Sequence, residues 1–309
     1  MSVDRPVLGV FLMLGFCVMA PLGDALAKLL GQQIGVGQLV AIRMGLQVVL
    51  LLPIVWWTGL TLRMSARVLR LTAVRAVLHV LGIGVMFTSL LYLPLADAVA
   101  IAFVMPFIML ILGRVFLDEE VGARRIAACC VGFVGTLMVM QPSFAEVGWP
   151  ATLPLGVAVI FALFMLVTRK VAKETDPITL QVVSGMIASA ILIPLLLVLG
   201  PMDLPGMGLT MPEGVTWVLV LAMGALGTVA HLLMTWALRF APSATLAPMQ
   251  YLEIPVAALL GWLIFSDFPN GLALAGIIVT VAAGLYIIFR EQALSRSARQ
   301  GRVPAPPAV

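Results

Sequence analysis

Long apolar runs separated by short polar breaks set the pattern of this chain. Such runs occur at Val7–Leu30, Gln38–Trp57, Leu71–Tyr92, Ala96–Phe116, Arg125–Met140, Leu155–Thr168, Ile178–Gly200, Val215–Leu238, Ala244–Phe265 and Leu272–Phe289. An α-helix needs about 20 apolar residues to cross about 30 Å of hydrocarbon, and most of these runs come near that length. The pattern therefore predicts an all-α integral membrane protein with ten transmembrane helices, of which the fifth and sixth are the shortest.

The polar breaks are of two kinds. Arg5; Arg63, Arg67, Arg70 and Arg75; Arg114, Arg124 and Arg125; Arg169, Lys170 and Lys173; Arg239; and Arg290, Arg296, Arg299 and Arg302 fall at alternate ends and connections. The intervening connections, around Gly31–Gly37, Leu93–Leu95, Gln141–Pro154, Pro201–Gly214 and Ser266–Gly271, contain no lysine or arginine. Basic residues collect on the cytoplasmic side of membrane proteins, so both termini are expected there. Of the 18 basic residues only Lys28 and Arg43 escape this pattern, and both lie within helices.

Composition agrees. At 62% hydrophobic and 10% charged residues, the chain falls far below the quarter or so of charged residues in a soluble domain. The sequence pI near 9.3 comes from loop charge facing the anionic leaflet, and no basic stretch interleaved with aromatics points to nucleic acid. Cys17, Cys129 and Cys130 fall inside predicted spans with no metal-ligand spacing, so they read as apolar packers, with no metal and no cofactor implied. Arg5 before an apolar run and Ala25-Leu26-Ala27 resemble a cleavable signal, but apolar character resumes at Leu29-Leu30, and the first span is expected to be retained.

The chain also repeats itself at a displacement of about 148 residues. Leu8-Gly9-Val10 recurs as Leu155-Gly156-Val157, Tyr92-Leu93-Pro94 as Phe240-Ala241-Pro242, and the Pro106–Asp118 spacing as Pro255–Asp267. Ala128, Gly132 and Thr136 in span five match Gly276, Thr280 and Gly284 in span ten, small residues every fourth position that allow close helix approach. With an odd number of spans per copy, the second copy enters the membrane from the opposite face. The expected organisation is residues 1–145 as one five-helix repeat, 146–290 as its inverted counterpart, and 291–309 as a disordered cytoplasmic tail.

These residues resemble the drug/metabolite transporter superfamily, EamA type, over nearly the whole chain. The resemblance rests on Gly23-Asp24-Ala25-Leu26-Ala27-Lys28, Ala41-Ile42-Arg43, Leu95-Ala96-Asp97-Ala98 with Met105-Pro106, Phe116-Leu117-Asp118-Glu119-Glu120, and Gln250-Tyr251-Leu252-Glu253. It implies two five-helix repeats and a carrier function. The Asp-to-Lys spacing, the span-two arginine and the Tyr-Leu-Glu run look most like the branch of S-adenosylmethionine and riboflavin uptake carriers, while related branches export amino acids and drugs. The second copy departs from the first at Phe265-Ser266-Asp267-Phe268-Pro269, which lacks the acidic cluster.

Ionisable side chains at the bilayer centre cost at least about 2.5 kcal/mol each, so they should face the bundle interior. Asp24 and Lys28 lie four apart on one helical face and can pair, Arg43 and Gln47 share a face in the same way, and Glu253 falls near mid-depth. With Tyr92 and Tyr251 as stacking groups, these residues are the expected substrate site. Lys28 and Arg43 could instead snorkel to the outer interface, and aromatics at helix ends could be interfacial anchors. His79 and His231, with Glu253, are candidates for proton coupling. Pro106 and Pro255 interrupt spans four and nine and are candidate gating bends.

The sequence contains no His-Glu-x-x-His, Gly-x-Ser-x-Gly or glycine-rich phosphate loop, so neither an intramembrane enzyme nor an ATP-driven pump is indicated. A non-transporting scaffold or sensor would not need charge at mid-depth. The expected function is a secondary transporter for a small polar metabolite in the cytoplasmic membrane, acting as monomer or homodimer, with lipid and substrate as its partners.

Overall fold

Leucine, valine, isoleucine, methionine and alanine saturate every long run, and in lipid a backbone can satisfy its polar groups only within a helix or a closed barrel. The computed structural model, which describes residues 5–118, 122–140, 148–202, 204, 206–266 and 271–299, is helical throughout its regular structure. Its helices are α1 (Pro6–Leu30), α2 (Val36–Thr58), α3 (Ala66–Leu90), α4 (Leu95–Ala102), α5 (Met105–Phe116), α6 (Ala123–Met140), α7 (Leu153–Ala172), α8 (Pro177–Leu199), α9 (Val215–Phe240), α10 (Ser243–Gln250), α11 (Glu253–Phe265) and α12 (Gly271–Arg299). Seven helical segments are long and apolar enough to cross a membrane. Leucines, valines and tryptophans such as Val49, Trp57, Leu197 and Leu263 are exposed around the bundle, as a lipid-facing surface requires.

Spans four and nine of the sequence are each broken in two. The first helix of each pair stops at Ala102 or Gln250, and the second starts at Met105 or Glu253, with Pro106 and Pro255 in its opening turn. Proline is tolerated there because the first N–H groups of a helix lack intrahelical partners anyway. The last helix runs to Arg299, so residues 291–299 are helical rather than the disordered tail that the sequence suggested. The stretch is rich in alanine, arginine, glutamate and glutamine, strong helix formers that extend a helix already nucleated in the membrane. Glu119, Glu120, Asp267 and residues 300–309 lie outside the described residues.

Each helix pairs with a distant one. α1 packs along α9, α3 along α7, α2 along α8, and α6 along α12, while α4 and α5 contact α11 and α10. α6 and α12 are the helices of spans five and ten. One end of the bundle gathers basic side chains. There Arg67 bonds Glu174 at 2.7 Å, Arg169 caps the C-terminus of α9 through the Leu238 and Arg239 carbonyls, Arg239 reaches the Thr175 carbonyl, and Lys170 lies over the Phe116 ring. At the other end Gly37 N–H donates to the Gly206 carbonyl, and the Gln38 side chain both donates to and accepts from Thr210.

Candidate functional site

Between the two ends lies a cavity with an empty volume of about 760 Å³, its opening included. α1 contributes Phe16 and Asp24, α2 Arg43, α3 Phe87, α4 and the break after it Phe103, α7 Phe161, α9 Gly227 and His231, and α11 Glu253. The breaks in spans four and nine matter here, because they put Phe103 at the end of α4 and Glu253 at the first position of α11.

Arg43 is the best-defined member. Its Nη2 lies 3.0 Å from His231 Nδ1, while its Nη1 is buried without a hydrogen-bond partner among the described residues. The guanidinium fits against α9 only because position 227 is glycine: a Cβ there would overlap Arg43 Nε. His231 Nδ1 is also 3.1 Å from the Gly227 carbonyl. A guanidinium only donates, so Nδ1 can accept from Arg43 or donate to Gly227, but not both at once. The tautomer of His231 therefore decides whether Arg43 is held or released.

Asp24 and Glu253 face the same cavity as Arg43, and Glu253 Oε1 is buried with no partner among the described residues. His79 stacks on Phe164 with ring centroids 4.6 Å apart and lies 4.3 Å from His231, centroid to centroid; neither of its ring nitrogens has a partner among the described residues. One turn before His79 on α3, Arg75 is fully buried. It donates to Thr168 (2.9 Å), Ser184 (2.7 Å), Gln181 (3.0 Å) and Thr235 (3.3 Å), with its guanidinium carbon 4.7 Å from the centre of the Phe164 ring. Four neutral acceptors and a π face thus solvate one charge and tie α3 to α7, α8 and α9.

The structure thus gathers Asp24, Arg43, His231 and Glu253 at one cavity and sends the other sequence candidates elsewhere. Lys28 turns to the far end of the bundle, where its ammonium donates to the Leu93 carbonyl at 2.7 Å and lies over the Phe265 ring. Gln47 donates to the Gln181 carbonyl at 2.6 Å, tying α2 to α8. Tyr92 is exposed beside Trp149, as an interfacial anchor would be. Tyr251 is fully buried in the break of span nine, its hydroxyl donating to the Phe103 carbonyl in the break of span four. Pro106 and Pro255 flank these breaks.

Sequence reasoning missed three elements. Arg75 was counted with the loop charges, although its spacing from His79 puts both on one helical face. The phenylalanine wall of the cavity is drawn from three helices and the break after α4, which no local pattern links. Gly227 reads as an ordinary small residue until the facing arginine is known.

The chain matches the EamA-like transporter family over residues 7–141 and again over residues 148–290. A riboflavin transporter of Rhizobium johnstonii is 32% identical over 222 residues, 72% of this chain and 71% of that protein. An S-adenosylmethionine uptake transporter of Rickettsia felis is 24% identical over 275 residues, covering 88% of this chain and 90% of that one. A pseudopaline exporter of Pseudomonas aeruginosa is 28% identical over 211 residues, 68% of this chain and 72% of its own. A solved crystal structure covering 90% of this chain and 94% of its own has a TM-score of 0.69 at 18% identity, a likeness of fold alone.

Proposed function

Because the chain belongs to the EamA-like transporter family and is a multi-pass membrane transporter of a small metabolite, we propose that it takes up a planar heteroaromatic metabolite of the riboflavin or S-adenosylmethionine kind. The observation that carries this reading is the cavity lining. Phe16, Phe87, Phe103 and Phe161 line the cavity with aromatic side chains suited to a flat ligand, and Asp24, Arg43 and Glu253 offer polar anchors.

Movement across the inner membrane would follow from ten spans arranged as two inverted five-helix repeats, residues 1–145 and 146–290. The separate family matches to the two halves support this reading. So does the packing: α1 with α9 and α7 with α3, α2 with α9 and α8 with α3, α5 with α7 and α11 with α1 are pairs that a repeat would relate. In such a carrier the α4–α5 and α10–α11 breaks, with Pro106 and Pro255, are the bends at which the halves rock. Asp24, Arg43 and Glu253 bind cargo, while the His79–His231 pair and Glu253 carry any coupled proton. Both termini lie in the cytoplasm, with the basic end of the bundle, and the working unit is a monomer or homodimer.

Uptake of radiolabelled riboflavin and S-adenosylmethionine into vesicles containing the purified chain tests the reading. Accumulation of at least one, competed by its unlabelled form, is expected; accumulation of neither would overturn it. A reporter fused after Val309 should be active only in the cytoplasm, and an external C-terminus would remove the inverted repeat.

A further inference from the structure

We propose that the cavity sorts its cargo by charge: the Arg43–His231 corner takes a carboxylate, the Asp24–Glu253 wall takes positive charge, and the preferred cargo is a zwitterion with a net positive charge. The proposal rests on the reading of this cavity as the transport site and deepens it. Among the residues lining the cavity, the formally charged ones are two carboxylates, Asp24 and Glu253, and one guanidinium, Arg43. With His231 neutral and both carboxyls ionised, the lining carries one negative charge more than positive.

Two atoms show where a ligand is missed. Arg43 Nη1 is a buried donor without a partner among the described residues, next to a histidine that can release Nη2 as well by changing tautomer. A guanidinium with two free parallel donors is matched by a carboxylate. Glu253 Oε1 is a buried oxygen without a partner among the described residues, on the same cavity as Asp24. Unpaired groups at membrane depth are costly, and a cation brought by the cargo would satisfy the wall that carries the excess negative charge.

Riboflavin has neither a carboxylate nor a positive centre. S-adenosylmethionine has a carboxylate, an ammonium and a sulfonium, and matches the inferred poles in sign and number. S-adenosylhomocysteine lacks the S-methyl group and with it the sulfonium charge, and decarboxylated S-adenosylmethionine lacks only the carboxylate.

Titration calorimetry of these four compounds against the purified full chain in lipid nanodiscs tests the assignment. S-adenosylmethionine should bind at least tenfold more tightly than each of the other three. Arg43→Gln should erase its advantage over the decarboxylated compound while leaving its advantage over S-adenosylhomocysteine, and Glu253→Gln should do the reverse. These are ratios between ligands within one variant, which a general folding defect would not change selectively. Riboflavin binding as tightly as S-adenosylmethionine, or ratios unchanged in the variants, would overturn the charge assignment while leaving the heteroaromatic reading in place. Binding of none of the four would overturn that reading, and this one with it.

Discussion

Gly227→Ala isolates the seat of Arg43 without touching any charge. Gly227 lies in the interior of α9, where glycine costs about 1 kcal/mol relative to alanine, so by helix propensity alone the substitution stabilises the protein. A Cβ at this position would overlap Arg43 Nε and stand 2.8 Å from both Cζ and Nη2. Non-bonded heavy atoms settle near 3.5 Å, so the guanidinium must withdraw by about 0.7 Å or more. That stretches the 3.0 Å contact from Nη2 to His231 Nδ1 beyond hydrogen-bonding range. Hydrogen bonds to charged groups contribute about 1.5–3 kcal/mol. If Arg43 then no longer meets the cargo in place, affinity falls by about tenfold to a hundredfold, at 1.4 kcal/mol per decade. Calorimetry with S-adenosylmethionine measures the affinity, and thermal denaturation in the same nanodiscs monitors the fold. Wild-type affinity in a variant of unchanged or raised melting temperature would refute the claim that the arginine is held in place for binding.

Three further outcomes follow from side chains away from the cavity. Arg75→Ala leaves Ser184 and Gln181 without their buried partner, whereas Thr168 and Thr235 still donate to the Phe164 and His231 carbonyls. The loss is about 3 kcal/mol, or a melting temperature lower by roughly 5–10 °C, and Arg75→Lys should recover only part of it because an ammonium cannot reach four acceptors on three helices. In Gly132→Ala the new methyl group would stand 2.6–2.9 Å from the Tyr251 ring; a rigid ring in a filled core cannot yield, so thermal denaturation should show a loss of about 1–3 kcal/mol. Glu174→Gln breaks the Arg67 ion pair, but its partners are 63% and 37% exposed, so the melting temperature should move by no more than about 1 kcal/mol implies.

Much of the fold was legible because lipid imposes long apolar helices and leaves charge at their ends. The helix positions and the basic end of the bundle follow from runs and spacings that can be read along the chain. The breaks before Met105 and Glu253 were legible as proline positions, although their effect on the cavity was not. Whether a buried charge meets its sequence neighbour or a distant helix cannot be read from spacing alone. Asp24 and Lys28 share a helical face, yet Asp24 opens on the cavity while Lys28 reaches the end of the bundle, because a lysine stem is long enough to snorkel and an aspartate is not. Arg43 is separated from His231 by most of the chain, and only the packing of α2 against α9 brings them within 3.0 Å. The same packing gives Gly227 its meaning. A glycine that weakens its own helix is the counterpart of an arginine that must pass close to a backbone. When a mid-helix glycine stands four residues before a buried histidine, as Gly227 does before His231, the place to look for the functional charge is on the helix facing them.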